Sequence, residues 1–227
     1  MLLTKPVTSI QKPVTSMNIS KFVFSPFQEN TYVLYDETKE CVIIDPGCYD
    51  ENERRRLVEF IETRKLTPVR LLNTHCHIDH IFGNKFVSEK YDLKLESHKD
   101  EQQVIEYSKI AAQMYGLQLE QSPEISVFWN DGDTITFGNS ELDVLFTPGH
   151  SPASISFYAK KDNFVIGGDV LFRQSIGRTD LPGGNFETLA NSIRNKFYTL
   201  PNETKVYSGH GEVTTVGFEK QHNPFVK

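Results

Sequence analysis

The chain has 227 residues, of which 38% are hydrophobic, 11% aromatic and 24% charged. This length and composition can support a sizeable hydrophobic core, and they exclude wholesale disorder. The 24 lysines and arginines against 30 aspartates and glutamates give a net charge of −6, so the chain lacks the basic surface typical of a general nucleic-acid-binding protein.

The sequence also argues against membrane insertion and disulfide bonds. No run approaches the roughly 18 apolar residues of a spanning helix, and the N-terminus has no signal-peptide pattern. We therefore expect a cytoplasmic protein that binds neither membranes nor nucleic acids. Cys41, Cys48 and Cys76 form no CxxC pair and predict reduced thiols.

Residues 1–16 differ from the rest of the chain. The word Lys-Pro-Val-Thr-Ser occurs twice, beginning at Lys5 and at Lys12, and its prolines and small polar residues predict disorder. Met17 follows directly and is an alternative start. No long Gly/Ser/Pro linker divides the remainder, so residues 17–227 are predicted to form a single domain.

Hydrophobic periodicity in the first half predicts strands, then helices. The strands are Lys21–Ser25, Asn30–Tyr35, Cys41–Ile44 and Val69–Leu72, and the helices are Asp50–Leu66, Gly83–Lys90 and Lys99–Tyr115.

The second half repeats this order, which two face-to-face sheets with helices outside would satisfy. The predicted strands are Phe128–Phe137 with a turn at Asn130–Asp133, Glu141–Phe146, Ser154–Tyr158, Phe164–Ile166 and, last, Lys205–Ser208. A final helix is predicted over Phe186–Phe197, with Asn185 as its N-cap.

The segment His75-Cys76-His77-Ile78-Asp79-His80 carries the strongest chemical signal. Five of these six residues can bind a metal, whereas Asp, Glu, His and Cys together make up 40 of the 227 residues, or roughly one in six by chance. His75 and His77, two positions apart after an apolar strand, point the same way and can bind one ion. Asp79 and His80 fall where the chain turns, which suits a second ion about 3.5–4 Å away.

Three more candidate ligands follow predicted strands further along the chain. His150, Asp169 and His210 each come directly after a glycine near the end of a strand. A glycine lets the backbone turn sharply and approach closely at the mouth of a sheet. Together with the first segment, these residues predict a centre that binds two metals.

In this pattern the chain resembles the metallo-β-lactamase superfamily, from about Ile19 to Phe225. The resemblance implies an α+β fold, a four-layer αββα sandwich. It also implies that one set of three residues binds one metal, another set binds the second, and a carboxylate bridges the two. The first set is His75, His77 and His150, the second is Asp79, His80 and His210, and the bridge is Asp169.

Two segments resemble the glyoxalase II branch, the hydroxyacylglutathione hydrolases. They are residues 168–172 (Gly-Asp-Val-Leu-Phe) and 175–180 (Ser-Ile-Gly-Arg-Thr-Asp). An aspartate at 169 argues against the β-lactamases that place a cysteine there. Only 17 residues follow His210, so the C-terminal helical segment that supplies much of the glutathione site in that branch is absent from this sequence.

The resemblance implies hydrolysis of a small thioester, an S-2-hydroxyacyl thiol such as S-lactoylglutathione or a related compound. A hydroxide that bridges two divalent ions would attack the carbonyl carbon, and Asp79 would orient it. Imidazole and carboxylate ligands suit zinc, which we favour, as well as iron or manganese. Persulfide dioxygenases share a similar Gly-Arg-Thr-Asp segment, so a mononuclear iron dioxygenase is one alternative; a non-catalytic metal-binding protein is another.

Two further residues near these segments have alternative roles. Arg178 either pairs with Asp180 and braces the loop beneath Asp169, which we favour, or binds a carboxylate of the substrate. Cys76 lies between two ligands, but on an extended segment its side chain faces the opposite way, which predicts a packing role. The oligomeric state cannot be derived from the sequence.

Overall fold

The computed structural model describes residues 16–227. Disorder was predicted for residues 1–16, which lie outside this range except for Ser16. The elements of the first half are β1 Asn18–Phe24, β2 Glu29–Tyr35, β3 Glu40–Ile44, α1 Glu51–Arg64, β4 Thr67–Leu72, α2 Ile78–Ile81, α3 Asn84–Tyr91, β5 Leu95–Ser97, α4 Gln102–Met114 and β6 Ile125–Phe128.

The second half is richer in strands and ends in helices. Its elements are β7 Thr134–Phe137, β8 Ser140–Phe146, β9 Ile155–Ala159, β10 Phe164–Gly168, β11 Leu171–Phe172, β12 Ser175–Ile176, α5 Phe186–Ser192, β13 Lys205–Ser208, β14 Thr214–Thr215 and α6 Val216–His222.

Two six-stranded sheets organise these elements. The first has the order β1-β2-β3-β4-β5-β6, and the second has the order β14-β13-β10-β9-β8-β7. In the first sheet β3 to β6 run parallel, because α1, α3 and α4 provide the crossovers. In the second sheet β10 and β13 are parallel, with α5 between them in the chain.

The side chains of β3 show why the fold has four layers. All residues from Cys41 to Ile44 are buried, as expected for a strand covered on both faces. Val42 and Ile44 pack between the two sheets against residues such as Phe157. Cys41 and Ile43 face the other way and pack against the helical layer, which includes Leu57 of α1.

A third apolar cluster covers the outer face of the second sheet. Val165 of β10 and Val206 of β13 pack there against Leu189, Ile193 and Phe197, which follow one another in the helical segment of residues 186–197. The layers therefore run helix, sheet, sheet, helix, and the predicted αββα sandwich is confirmed. A single domain over residues 17–227 remains our proposal.

Two predictions about elements were wrong. Phe186–Phe197 is not the final helix, because α6 follows it, and its last part, Ile193–Phe197, is a π-helical turn. Phe128–Phe137 is not a single strand pair, because β6 and β7 belong to different sheets. The sequence analysis also missed β5, β11, β12 and β14, which have two or three residues each and are too short to show a period.

Local capping signals mark the helix ends as the sequence predicts. The Asn185 side chain accepts a hydrogen bond from the Thr188 amide at the start of α5. Asp50 caps α1 in the same way, and Lys65 ends that helix in the left-handed conformation. Within residues 16–227, none of the helices has the length and apolar character needed to cross a membrane.

Asp36 joins the ends of the two sheets. Asp36 directly follows β2 in the chain and is 1% exposed. Its carboxylate accepts hydrogen bonds from the Thr38 amide at 2.9 Å, the Asn139 amide at 2.7 Å and the Ser140 hydroxyl at 2.8 Å. Burial favours the neutral acid, but these hydrogen bonds outweigh it and lower the pKa of Asp36.

We expect Asp36→Ala to lower the free energy of unfolding at pH 7 by about 1–3 kcal/mol, because three partly buried hydrogen bonds to this carboxylate are lost. Since the pKa of Asp36 is lower in the folded than in the unfolded chain, this stabilisation is present above about pH 4 and is lost as the pH falls through the folded value. Urea titrations at several pH values measure both effects. Asp100→Ala, at a side chain 56% exposed, is the control; equal stability of Asp36→Ala and wild type at pH 7 would contradict the prediction.

Candidate metal centre

The seven predicted ligands meet at one edge of the sandwich. They follow strands whose carboxyl ends lie together there, β4 in the first sheet and β8, β10 and β13 in the second. The residues are His75, His77, Asp79, His80, His150, Asp169 and His210.

A first group consists of three histidines. One ring nitrogen from each of His75, His77 and His150 lies within 4.8 Å of the others, and His77 Nδ1 is 2.9 Å from His150 Nε2. His150 Nδ1 lies 2.8 Å from the carbonyl oxygen of Arg178. A proton on Nδ1 for that hydrogen bond leaves the Nε2 lone pair facing the other two rings, as in many metal sites.

A second group contains Asp79, His80 and His210, whose ligand atoms also lie within 4.8 Å of one another. Asp79 Oδ2 is 3.1 Å from His210 Nε2 and 3.8 Å from His80 Nε2. Asp79 and His80 belong to the short helix α2, which directly follows His77, and the centroid of the His80 ring lies 4.1 Å from that of the His75 ring.

Asp169 lies between the two groups. Its Oδ2 atom is 3.4 Å from His150 Nε2 in the first group and 3.6 Å from His210 Nε2 in the second. Its Oδ1 atom is 3.5 Å from His80 Nε2. One carboxylate therefore faces ring nitrogens of both groups, the position from which it could bind two ions.

Buried atoms without partners indicate what this site would hold. Nε2 of His75, Nε2 of His80 and Oδ1 of Asp169 are buried and form no hydrogen bond with any residue of the described chain. Such atoms are costly unless something else satisfies them. Neutral imidazole and carboxylate are ligands for divalent transition metals, so the residues present fit metal ions.

Asp45 orients this cluster, and the sequence analysis did not single it out. Its carboxylate accepts hydrogen bonds from the Thr74 amide at 2.7 Å, the Thr74 hydroxyl at 2.6 Å and the Asn73 side chain at 3.1 Å. It also lies 3.2 Å from His80 Nδ1. One ligand atom from each of Asp45, His75 and His80 also lies within 4.8 Å of the others. The Asn73 and Thr74 donors already occupy the oxygens of Asp45, which favours an orienting role for this carboxylate.

Glu101 is a second buried carboxylate that the sequence analysis missed. One oxygen accepts a hydrogen bond from the Cys76 amide at 2.8 Å. The other accepts from the Ser151 hydroxyl at 2.6 Å and the Ala153 amide at 2.9 Å. Glu101 thus joins the segment that carries His75 and His77 to the segment that carries His150. No local pattern marks it, because it lies in an otherwise ordinary helical stretch.

Two glycines allow the close approach expected at the strand ends. A Cβ atom at Gly209 would lie 2.1 Å from Asp169 Oδ1. Gly168 has φ +52°, and a Cβ there would lie 2.4 Å from the Thr74 hydroxyl oxygen. Side chains at these positions would displace the groups that we assign to the metal centre.

The histidines of the first group favour the neutral form. Burial lowers the pKa of His75 and His150 and lowers that of His77 to about 3, and neighbouring histidines add to this effect. A neutral imidazole is the form that binds a metal ion.

The second group behaves differently because carboxylates surround its rings. Burial opposes protonation of His80 and His210, but Asp79 and Asp169 outweigh it and raise both pKa values. The same pairing lowers the pKa of Asp79 and Asp169, against the effect of burial. Both carboxylates are therefore ionised at neutral pH.

The structure also places the two residues whose roles the sequence left open. Arg178 Nε and Nη2 each donate a hydrogen bond to Asp180 at 2.7 Å, which is the pairing that we favoured. Cys76 is fully buried in the cluster between the first sheet and its helices, as a packing role requires. All three cysteines are free thiols.

The metal centre opens into a cavity of about 650 Å³. His77, Asp79, His150, Asp169 and His210 line one part of it. A substrate in this cavity would therefore reach both groups of the centre.

Sequence comparison places the chain among known proteins. Residues 24–210 match the metallo-beta-lactamase superfamily. The probable metallo-hydrolase YqgX of Bacillus subtilis is 41% identical over 203 residues, which cover 88% of this chain and 93% of the relative. The hydroxyacylglutathione hydrolase GloC of Haemophilus influenzae is 35% identical, over 92% of this chain and 98% of the relative.

Solved structures show the same similarity. The BLEG-1 B3 metallo-beta-lactamase superposes with a TM-score of 0.85 at 37% identity, over 92% of this chain and all of that chain. TTHA1623 in a di-iron-bound form superposes with a TM-score of 0.82 at 36% identity, over 91% of this chain and all of that chain. The fold, the clustered ligand residues and these matches agree: the chain belongs to the metallo-beta-lactamase superfamily of metal-dependent hydrolases.

Proposed function

We propose that this protein hydrolyses small thioesters with the help of two divalent metal ions. His75, His77 and His150 would hold one ion, Asp79, His80 and His210 the other, and Asp169 would contact both. The observation that carries the proposal is the place of Asp169, whose Oδ2 atom is 3.4 Å from His150 and 3.6 Å from His210. A carboxylate shared in this way is suited to holding two metal ions close together, as two-metal hydrolysis needs.

Two bound ions would lower the pKa of a shared water and polarise the carbonyl group of the substrate. The chain's own residues prepare this chemistry. The ionised carboxylate of Asp79 faces the cavity and can accept a hydrogen bond from the attacking water. The Arg178 carbonyl holds the His150 ring in one orientation, and Asp45 does the same for His80.

Thioesters suit this site better than amides. Thiols have an ordinary pKa of about 8.5, so a thiolate leaves without protonation by a strong general acid. The relative GloC, named a hydroxyacylglutathione hydrolase, supports the same reaction class. Zinc is our preferred metal, while the di-iron form of a structural neighbour supports iron as the alternative.

The function can be tested with a small panel of substrates. Zinc-loaded protein should hydrolyse S-lactoylglutathione or a neutral acyl thioester, such as hexanoyl-N-acetylcysteamine, well above the rate of Asp169→Asn. Nitrocefin is included because one structural neighbour is named a beta-lactamase. Hydrolysis of nitrocefin alone, or oxygen uptake by iron-loaded protein with a persulfide and no thioester hydrolysis, would overturn the proposal.

We expect Asp169→Asn to lower thioester hydrolysis at least 100-fold, because an amide cannot replace a carboxylate shared by two ions. Elemental analysis should find fewer than two metal ions per chain in this variant. Asp92→Asn, at an exposed position outside these groups, is the matched control. Near-normal turnover of Asp169→Asn would rule out the bridging role.

We expect Asp45→Asn to weaken metal binding or activity by about 10–100-fold while the protein stays folded, since Asp45 orients His80 without being assigned as a ligand. Competition with a chromogenic chelator measures the affinity, and circular dichroism checks the fold. An unchanged affinity would show that the His80 ring needs no such support.

Metal content should fall in two steps as the pH is lowered. The pKa values of His80 and His210 are raised, so protons compete with a metal ion for these two residues already at relatively high pH. The pKa values of the three histidines of the first group are lowered, so protons compete for them only at lower pH. The ion of the second group should therefore leave first, at a higher pH than the ion of the three-histidine group, and activity should be lost with it.

Metal analysis after equilibration at each pH measures these steps. His210→Ala keeps the three-histidine group intact and should show only the step at lower pH. Release of both ions together, or loss of activity at constant metal content, would contradict this explanation.

A further inference from the structure

The helix α4 lines the cavity beside the candidate metal centre with apolar and aromatic side chains, next to the polar side chains of Gln103, Glu106 and Ser108. Tyr107, Ala111 and Tyr115 are four residues apart and lie on one face of the helical segment. The tyrosines are 63% and 52% exposed, although the residues Ile105 and Ala112 on the opposite face are buried in the core. Two large aromatic side chains therefore remain exposed in the cavity lining next to the candidate ligands.

A second part of the cavity lining also contributes apolar side chains. It is formed by residues 172–183, which include Phe172, Ile176 and Leu181. The cavity volume of about 650 Å³ lies in the middle of the range for sites that enclose drug-sized ligands, about 300–1,000 Å³. An acetyl or lactoyl group alone would leave most of this apolar surface in contact with water.

The charges of the cavity do not match glutathione. That tripeptide carries two carboxylates and an ammonium group, and the strongest partners for such carboxylates are charge-assisted hydrogen bonds from arginine or lysine. Among the described residues that line the cavity, Arg178 is the single lysine or arginine, and the edge of its guanidinium formed by Nε and Nη2 already donates to Asp180 at 2.7 Å. Glu106 adds a negative charge to the wall.

We propose that the preferred substrates are thioesters with an uncharged apolar acyl group, which the wall formed by α4 and residues 172–183 binds, and that glutathione is not the preferred thiol. This inference rests on the proposed thioester hydrolysis and specifies its substrate class. The metal centre supplies the reaction, and burial of the acyl group supplies the selectivity.

The test compares thioesters of one neutral thiol with increasing acyl length. Zinc-loaded wild type is assayed with acetyl-, butanoyl-, hexanoyl- and octanoyl-N-acetylcysteamine and with S-lactoylglutathione. Each fully buried methylene group is worth about fourfold in kcat/KM. We expect at least a tenfold rise from acetyl to hexanoyl, and a higher kcat/KM for hexanoyl than for S-lactoylglutathione.

Ala111→Trp would fill the cavity from α4. It should lower kcat/KM for the hexanoyl thioester at least tenfold while changing that for the acetyl thioester less than threefold. Ile110→Trp places the same side chain at the adjacent, 55% exposed position outside the cavity lining and should keep the wild-type profile. Ala111→Leu, a smaller change, should shift the preference in the same direction if the tryptophan variant folds poorly.

The outcomes separate this inference from the proposed function. A kcat/KM independent of acyl length, a preference for S-lactoylglutathione, or an unchanged profile in both Ala111 variants would overturn the inference and leave thioester hydrolysis intact. If no thioester is cleaved faster than by Asp169→Asn, the proposed function itself fails.

Discussion

The rest of the site depends on the electrostatic interaction between imidazoles and carboxylates that are buried close together. Several rings with little exposure to water would repel one another if protonated, and buried carboxylates would be costly without partners. Asp169 resolves this conflict because it lies within 3.4–3.6 Å of His80, His150 and His210. The three-histidine group stays neutral, and the second group is balanced by Asp79 and Asp169.

The surrounding structure holds these groups in place through two further buried carboxylates. Asp45, after β3, receives hydrogen bonds from Asn73 and Thr74 and so ties two neighbouring strands of the first sheet together beside His80. Glu101 joins the segments that carry the ligands of the first group across the two halves of the chain. The geometry of the centre therefore depends on hydrogen bonds between segments distant in sequence, in addition to the packing of the sheets.

The candidate ligands and the walls of the cavity come from different parts of the fold. The ligands lie at strand ends fixed by the sandwich, whereas the cavity walls come from α4 and from residues 172–183. Changes in the walls can alter which molecule is bound without moving a ligand residue. This separation is one physical reason why membership of a superfamily predicts a type of reaction better than a substrate.

The sequence by itself determined the layers of the fold and all seven candidate ligands, because both depend on local patterns. Alternating or continuous apolar runs specify strands such as β2 and β3. Residues 75–80 place five potential metal-binding side chains within six consecutive positions. Only the tertiary structure decided that β6 and β7 separate into different sheets, and that α6 follows β14. It alone revealed Asp45 and Glu101 as supports of the centre, since their hydrogen-bond partners lie about 25 to 50 residues away, where no local period can indicate contact.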